Sequence, residues 1–258
     1  AARYAVFFHD LIYAIQSLHV LNGHTDALQR IRWSLANPQA LPLPQRHVDA
    51  GFALPRDGTE EDPVRLGVMI SGGGSGLAAL LRHQLKQPCC HQTVLVISNR
   101  SDAGGLRHAK ENLVQHSVVP IPPGQDPEAR RLQHEREVHQ LLVASNVELV
   151  VLSGYMRILS PWFVERWKGR LVNIHPSLLP SFPGAHAHRD VLAAGVEITG
   201  CTVHLVDEGV DTGPILAQQS VEVTSDDTED TLQERVKQVE HELYPKTLDL
   251  LCSGRITL

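Results

Sequence analysis

From Val64 onward, short apolar blocks alternate with polar segments of helical spacing. Val64–Ile70 is a nearly continuous apolar run that ends in Ser71-Gly72-Gly73-Gly74-Ser75-Gly76 and leads into the apolar residues 77–81. That order predicts strand, glycine loop and helix. Residues 93–98 predict a second strand, 104–115 a helix, 118–121 a third strand and 127–145 a long charged helix. Residues 147–152 are almost wholly apolar, as in a strand buried on both faces. A helix over 160–168 and a strand over 171–174 follow. The alternation predicts an α/β fold, a mostly parallel sheet with helices on both faces. Strands expected over 200–206 and 214–223 are joined only by a Gly/Asp-rich loop, which predicts antiparallel strands towards the C-terminal half. The last helix, from about Asp230, carries a stripe of Leu232, Val236, Val239 and Leu243, and Pro245 is expected to bend or end it.

Residues 1–62 follow a different pattern. They contain no Lys, and prolines 42, 44 and 55 punctuate their second half. Helices are expected over 5–21 and 27–35, then a linker to Asp62. The His9-Asp10 pair lacks the further ligands a metal site needs. The reading is an N-terminal extension and linker of unassigned role (1–62) and one catalytic-size domain (63–258). The length of 258 residues and 42% hydrophobic content suit one large core and exclude disorder.

Charge narrows the partners. The formal net charge is −6 with no Lys/Arg-rich run, which argues against a nucleic-acid partner. With aromatics at 5%, stacking platforms are scarce. The apolar stretch 5–21 is broken by His9, Asp10, Gln16 and His19, so no membrane span is expected. Cys89, Cys90, Cys201 and Cys252 form neither a CxxC pair nor a zinc-ligand spacing, and no metal is expected. Reduced thiols and the lack of a visible signal peptide point to the cytoplasm. The first residue is Ala rather than Met, so a preceding segment is expected.

Three segments carry candidate chemistry. The glycine loop 71–76 could hold a phosphate on backbone N–H groups at a helix start, or be a tight structural turn. It has neither the Lys-Ser/Thr of a P-loop nor the register of a dinucleotide fingerprint. The segment 173–180 (NIHPSLLP) leaves a buried strand with Asn173 and His175 on the same side. Asn suits an oxyanion and His titrates near neutrality, although a satisfied His beside a turn fits equally well. Residues 206–214 (VDEGVDTGP) are either a solvated loop or an acid beside a histidine, and lack calcium-loop spacing. No GxSxG elbow is present, so a nucleophilic enzyme is poorly supported. Met156 to Leu159 alone read as core with one snorkelling Arg157.

Taken together, ISGGGSG (70–76), SGYMRILSPWFV (153–164), NIHPSLLPSFPG (173–184), GCTVHLVDEGVDTGPI (200–215) and RVKQVEHELYP (235–245) resemble the glycinamide ribonucleotide (GAR) formyltransferases, folate-dependent enzymes of purine synthesis. The resemblance covers about 64–258 and implies a Rossmann-like sheet. It implies transfer of a formyl group from the cosubstrate 10-formyltetrahydrofolate to the GAR amine, with no metal. By motif position, Asn173, His175 and Asp211 match the catalytic residues, with Asp211 keeping His175 cationic. Gly74, Ser75 and Gly76 match the GAR-phosphate loop, and Lys237, Gln238, Val239 and Glu240 the segment that meets the GAR sugar. Arg131 matches a basic residue near the folate tail. Met156, Arg157, Ile158 and Leu159 match the pterin-pocket wall, where Asn173 is also expected to meet folate, and Asp207, Glu208, Gly209 and Val210 match the loop that closes over the pterin. One departure is Gly76, where the family usually has Asn.

Two other readings share these motifs. One is a formyltetrahydrofolate deformylase, although residues 1–62 are unlike its usual regulatory domain. The other is a non-catalytic folate- or nucleotide-binding module of a larger fusion, against which the intact Asn173, His175 and Asp211 argue. Methionyl-tRNA formyltransferase fits neither the acidic charge nor the absence of its extra C-terminal domain. Oligomeric state is not readable from the sequence.

Overall fold

The alternation of apolar strands and amphipathic helices builds a seven-stranded sheet in the computed structural model, which describes residues 45–47, 52–256 and 258. The helices expected over 5–21 and 27–35 and the His9-Asp10 pair lie outside the described residues. Two short strands, β1 (Gln45–His47) and β2 (Ala53–Pro55), pair antiparallel. The main strands are β3 (Val64–Ile70), β4 (His91–Ser98), β5 (Gln115–Val118), β6 (Leu149–Leu152), β7 (Leu171–His175), β8 (Ile198–Leu205) and β9 (Ile215–Glu222). Their order is β5-β4-β3-β6-β7-β8-β9. The pairings from β5 to β7 are parallel, and those of β7 with β8 and β8 with β9 are antiparallel. The chain reverses its direction of travel across the sheet between β3 and β6, and such a switch point opens a crevice beyond the strand ends.

The helices are α1 (Ser75–Lys86), α2 (Gly105–Glu111), α3 (Pro127–Ala144), α4 (Pro161–Arg166), α5 (Ala187–Ala194) and α6 (Glu229–Cys252). Local chemistry sets their starts. Asp126 accepts from the Glu128 N–H ahead of α3, Ser160 accepts from the Phe163 N–H ahead of α4, and a proline stands at the first position of each. Thr228 and Thr231 cap α6 reciprocally. Val68, Val151, Leu80 and Leu248 lie in one buried cluster, and Met69, Val150, Val138 and Phe163 in another. Adjacent strand residues fall in different clusters, as expected for a sheet covered on both faces.

Three expectations are corrected. Strand β5 lies at Gln115–Val118, ahead of the expected 118–121. The preceding helix stops at Glu111, and Leu113 turns the chain at φ 56. As a polar edge strand, β5 has no apolar run to announce it. Pro245 does not end the last helix, which runs on to Cys252 with Tyr244, Leu248 and Leu251 buried around the proline. An interior proline costs about 3 kcal/mol, less than several buried side chains of about 1.5–3 kcal/mol each return. Residues 52–62, expected as linker, lie against the sheet. Leu54 is fully buried, and Arg56 Nε donates to Glu148 Oε1 (2.7 Å). Among the described residues, no helix is long and apolar enough to cross a membrane.

Candidate active site

Strand β7 presents Asn173 and His175 at its C-terminal end, opposite His204 and Thr202 of β8. Asn173 Nδ2 donates to His204 Nε2 (3.2 Å), while His204 Nδ1 donates to the Leu205 carbonyl (2.9 Å). Burial holds His204 below the ordinary imidazole range, although the Leu205 carbonyl and Asp211 pull the other way. A neutral His204 therefore accepts one amide proton of Asn173 and leaves the second free.

His175 is buried, and both its ring nitrogens face acceptors. Nε2 is 2.8 Å from the Phe182 carbonyl, and Nδ1 is 3.3 Å from Asp211 Oδ2. The same Phe182 carbonyl accepts from Ser177 Oγ (3.1 Å). Beneath this turn the buried Thr202 hydroxyl donates to the Ser177 carbonyl (2.6 Å) and accepts from the Leu179 N–H (3.0 Å). Asp211 adopts φ 55, a left-handed conformation uncommon outside glycine and costly unless its surroundings hold it. The hold is visible in the Gly184 N–H, which donates to Oδ2 (2.8 Å), while Oδ1 lies 3.6 Å from His204 Nε2 without a shared proton. A carboxylate thus sits between two imidazoles beside an amide.

Next to this group, a cavity of about 390 Å³ opens at the β3/β6 switch point. Gly72 to Gly76 line one side, with Ser153 and Gly154 after β6, Ile174 between Asn173 and His175, and Lys237, Glu240 and Tyr244 of α6. Gly74 has φ 69, and a Cβ there would stand 2.6 Å from the Gly105 Cα. That close approach brings α2 and its His108 to the cavity wall. A Cβ at Gly76 would stand 2.6 Å from Ser153 Oγ, so the serine hydroxyl fills the space a side chain at 76 would need. Burial raises the Glu240 carboxyl to about 7, against the opposing pull of Lys237. Of the expected sugar-contact segment, only Lys237 and Glu240 line the cavity. Val239 packs on the cluster of Val191, Leu232 and Val236, and Gln238 is exposed. Helical period explains the split, since positions three apart share a face.

The expected folate residues lie on neighbouring loops. Met156, Ile158 and Val210 are 68%, 71% and 55% exposed, an apolar rim without cover among the described residues. Leu159 packs on the core and Arg157 is exposed. The Met156 N–H donates to Ser71 Oγ (3.0 Å) and the Ser71 N–H to the Gly154 carbonyl (3.1 Å), which laces this loop to the end of β3. Asp207 Oδ1 accepts from the Gly209 N–H (3.1 Å) and from Thr212 Oγ1 (2.7 Å), fixing the turn that carries Glu208 and Val210. Arg131 is half-buried on the first turns of α3.

Residues 64–248 match the Formyl transferase family. The chain belongs to the formyl transferase family. It is 44% identical over 197 residues to the trifunctional purine biosynthetic protein adenosine-3 of Gallus gallus, matching 76% of this chain and 19% of that protein. The chain therefore spans about a fifth of that relative. It is 38% identical over 193 residues to the phosphoribosylglycinamide formyltransferase of Escherichia coli (strain K12), covering 74% of this chain and 88% of the relative. The crystal structure of glycinamide ribonucleotide transformylase 1 from Symbiobacterium toebii superposes with TM-score 0.71 at 38% identity, covering 76% and 91% of the two chains.

Four residues that line the cavity, His108, Ser153, Ile174 and Tyr244, were not among the expected site residues, nor was His204 beside Asn173. His204 had a signal, since an antiparallel partner of the Asn173 strand must place some residue directly opposite the amide. His108 had none, because its position depends on the Gly74–Gly105 contact.

Proposed function

We propose that the chain transfers a formyl group from 10-formyltetrahydrofolate to the amine of GAR, giving formyl-GAR and tetrahydrofolate, in the cytoplasm. The single observation that carries this reading is the pairing of the Asn173–His175–Asp211–His204 group with a glycine-lined cavity at the switch point. The cavity suits a phosphorylated sugar: backbone N–H groups of Gly74, Ser75 and Gly76 for the phosphate, and Lys237 with Glu240 for the sugar hydroxyls. The apolar rim of Met156, Ile158 and Val210 suits one face of a pterin, with Leu159, Asp207, Glu208 and Gly209 shaping the slot and Arg131 and Arg157 as cations for an acidic tail.

Chemistry follows from which protons are free. The GAR amine attacks the formyl carbon, and charge develops on the formyl oxygen. Asn173 donates its second Nδ2 proton to that oxygen, and His175 stands beside it as the positive group held by Asp211. Asp211 then moves a proton, through water, from the amine to the departing folate nitrogen. No covalent enzyme intermediate and no metal enter this scheme. The segment 63–258, with residues 52–62 packed on it, is the catalytic unit in this reading.

An absorbance assay of 10-formyltetrahydrofolate consumption with and without GAR tests it. Consumption that requires GAR is the expected result. GAR-independent release of formate would establish a deformylase, and binding of both ligands without turnover would establish a non-catalytic module.

A further inference from the structure

Away from the proposed catalytic group, at the opposite ends of the strands, four potential metal ligands meet. His83 lies near the end of α1, Cys89 in the following loop, His91 at the first residue of β4, and Asp249 in the last turn of α6. One ligand atom from each lies within 4.8 Å of all the others. We propose that His83, Cys89, His91 and Asp249 form a structural zinc site that ties the end of α6 to the α1–β4 corner.

The donor set fits the ion. Two imidazoles, a thiolate and a carboxylate favour zinc over the hard, oxygen-seeking magnesium and calcium. Thiolate and carboxylate together neutralise its two positive charges. Tetrahedral ligands at about 2.0–2.3 Å from zinc stand about 3.3–3.8 Å from one another. The carboxylate of Asp249 now lies closer than that to both rings, with Oδ2 2.8 Å from His83 Nε2 and Oδ1 3.1 Å from His91 Nε2. Admitting the ion needs the carboxylate to withdraw by a few tenths of an ångström and the thiol to approach. The two imidazole rings are nearly parallel, 11° apart, and both turn Nε2 to the same point.

The surroundings also fit. His91 Nδ1 is 2.8 Å from the Gln84 amide, a partner that can orient the ring once that amide turns its oxygen to an Nδ1–H. The His91 side chain is fully buried, whereas His83 and Asp249 keep about a fifth of their side-chain surface open (19% and 22%), which gives an ion a route in from solvent. Cys90 is set apart from the cluster, its thiol donating to the Asp249 backbone carbonyl (3.4 Å). The sequence hid the site because three ligands sit within nine residues and the fourth lies at the far end of the chain.

The test uses the full chain after chelator treatment, titrated with cobalt(II) and then with zinc. One equivalent of cobalt should give a tetrahedral d–d spectrum with a thiolate charge-transfer band, and one equivalent of zinc should abolish both. Zinc should also raise the thermal unfolding midpoint by several degrees. Cys89→Ser should remove the charge-transfer band, His83→Gln should weaken binding at least tenfold, and both should retain formyl transfer. A band that survives in C89S, or binding of several equivalents insensitive to H83Q, would overturn the proposal. So would no retention of either metal by the wild-type chain. If C89S does not fold, H83Q alone decides, with circular dichroism confirming its fold.

Discussion

The cavity at the glycine loop and the apolar rim of Met156, Ile158 and Val210 are neighbours built on different principles. The first is lined largely by backbone, with no room for a Cβ at Gly76 beside Ser153 Oγ, and by Tyr244, whose hydroxyl donates to the Leu152 (2.9 Å) and Val172 (3.0 Å) carbonyls. The second leaves Met156, Ile158 and Val210 in solvent. A phosphate is recognised by fixed N–H groups, which must be in place beforehand, whereas an apolar ring contributes by removing exposed carbon from water. The preformed site should therefore respond to crowding, and the open one to loss of apolar area.

The largest effect is expected where the two regions meet. His175→Ala should lower turnover at least about 100-fold, since one oxyanion partner is worth roughly 3 kcal/mol, with both KM values little changed. Near-normal steady-state rates would remove His175 from the proposed chemistry. Next, the double change Met156→Ala and Ile158→Ala should raise KM for 10-formyltetrahydrofolate by about tenfold or more while leaving KM for GAR in place. An equal rise in both would show that the rim and the cavity are not separate sites.

Crowding sharpens the contrast from the other side. Gly76→Asn should raise KM for GAR about fivefold or more, because its side chain meets the Ser153 hydroxyl. Adding Ser153→Ala should recover most of the loss, and failure to recover would mean that the serine is not what excludes a side chain there. The smallest effect concerns pH. The folded-state value of Glu240, about 7, lies above the ordinary 4.5, so the folded chain holds this proton more tightly than the unfolded chain does. Its contribution to stability is complete below about pH 4.5 and is lost as pH rises through about 7. Urea midpoints at pH 5 and pH 8 should therefore differ less in Glu240→Gln than in the unchanged chain.

Much of this fold is legible along the chain because parallel strands buried on both faces must be apolar almost throughout, as β6 is and β3 is but for Arg65. Legibility fails where burial is partial. The edge strand β5 is polar, helix α5 is a short segment of eight residues (Ala187–Ala194) that no expectation covered, and Pro245 yields to the packing around it. The candidate site divides the same way. Asn173, His175 and Asp211 stand out through motif and position. His204, His108 and Ser153 matter only through what the fold brings against them.

Local sequence determined the order of strands and helices, the caps, the glycine loop and the residue types able to do acyl-transfer chemistry, since each depends on neighbours within a few positions. Tertiary structure alone decided that Asp211 lies between two imidazoles, that Ser153 occupies the space beside Gly76, and that Asp249 joins His83, Cys89 and His91. Apart from the approach of His204 to Asp211 across one turn, those contacts join residues 36 to 166 positions apart, and only a packed sheet, with its fixed register and strand spacing, sets such distances.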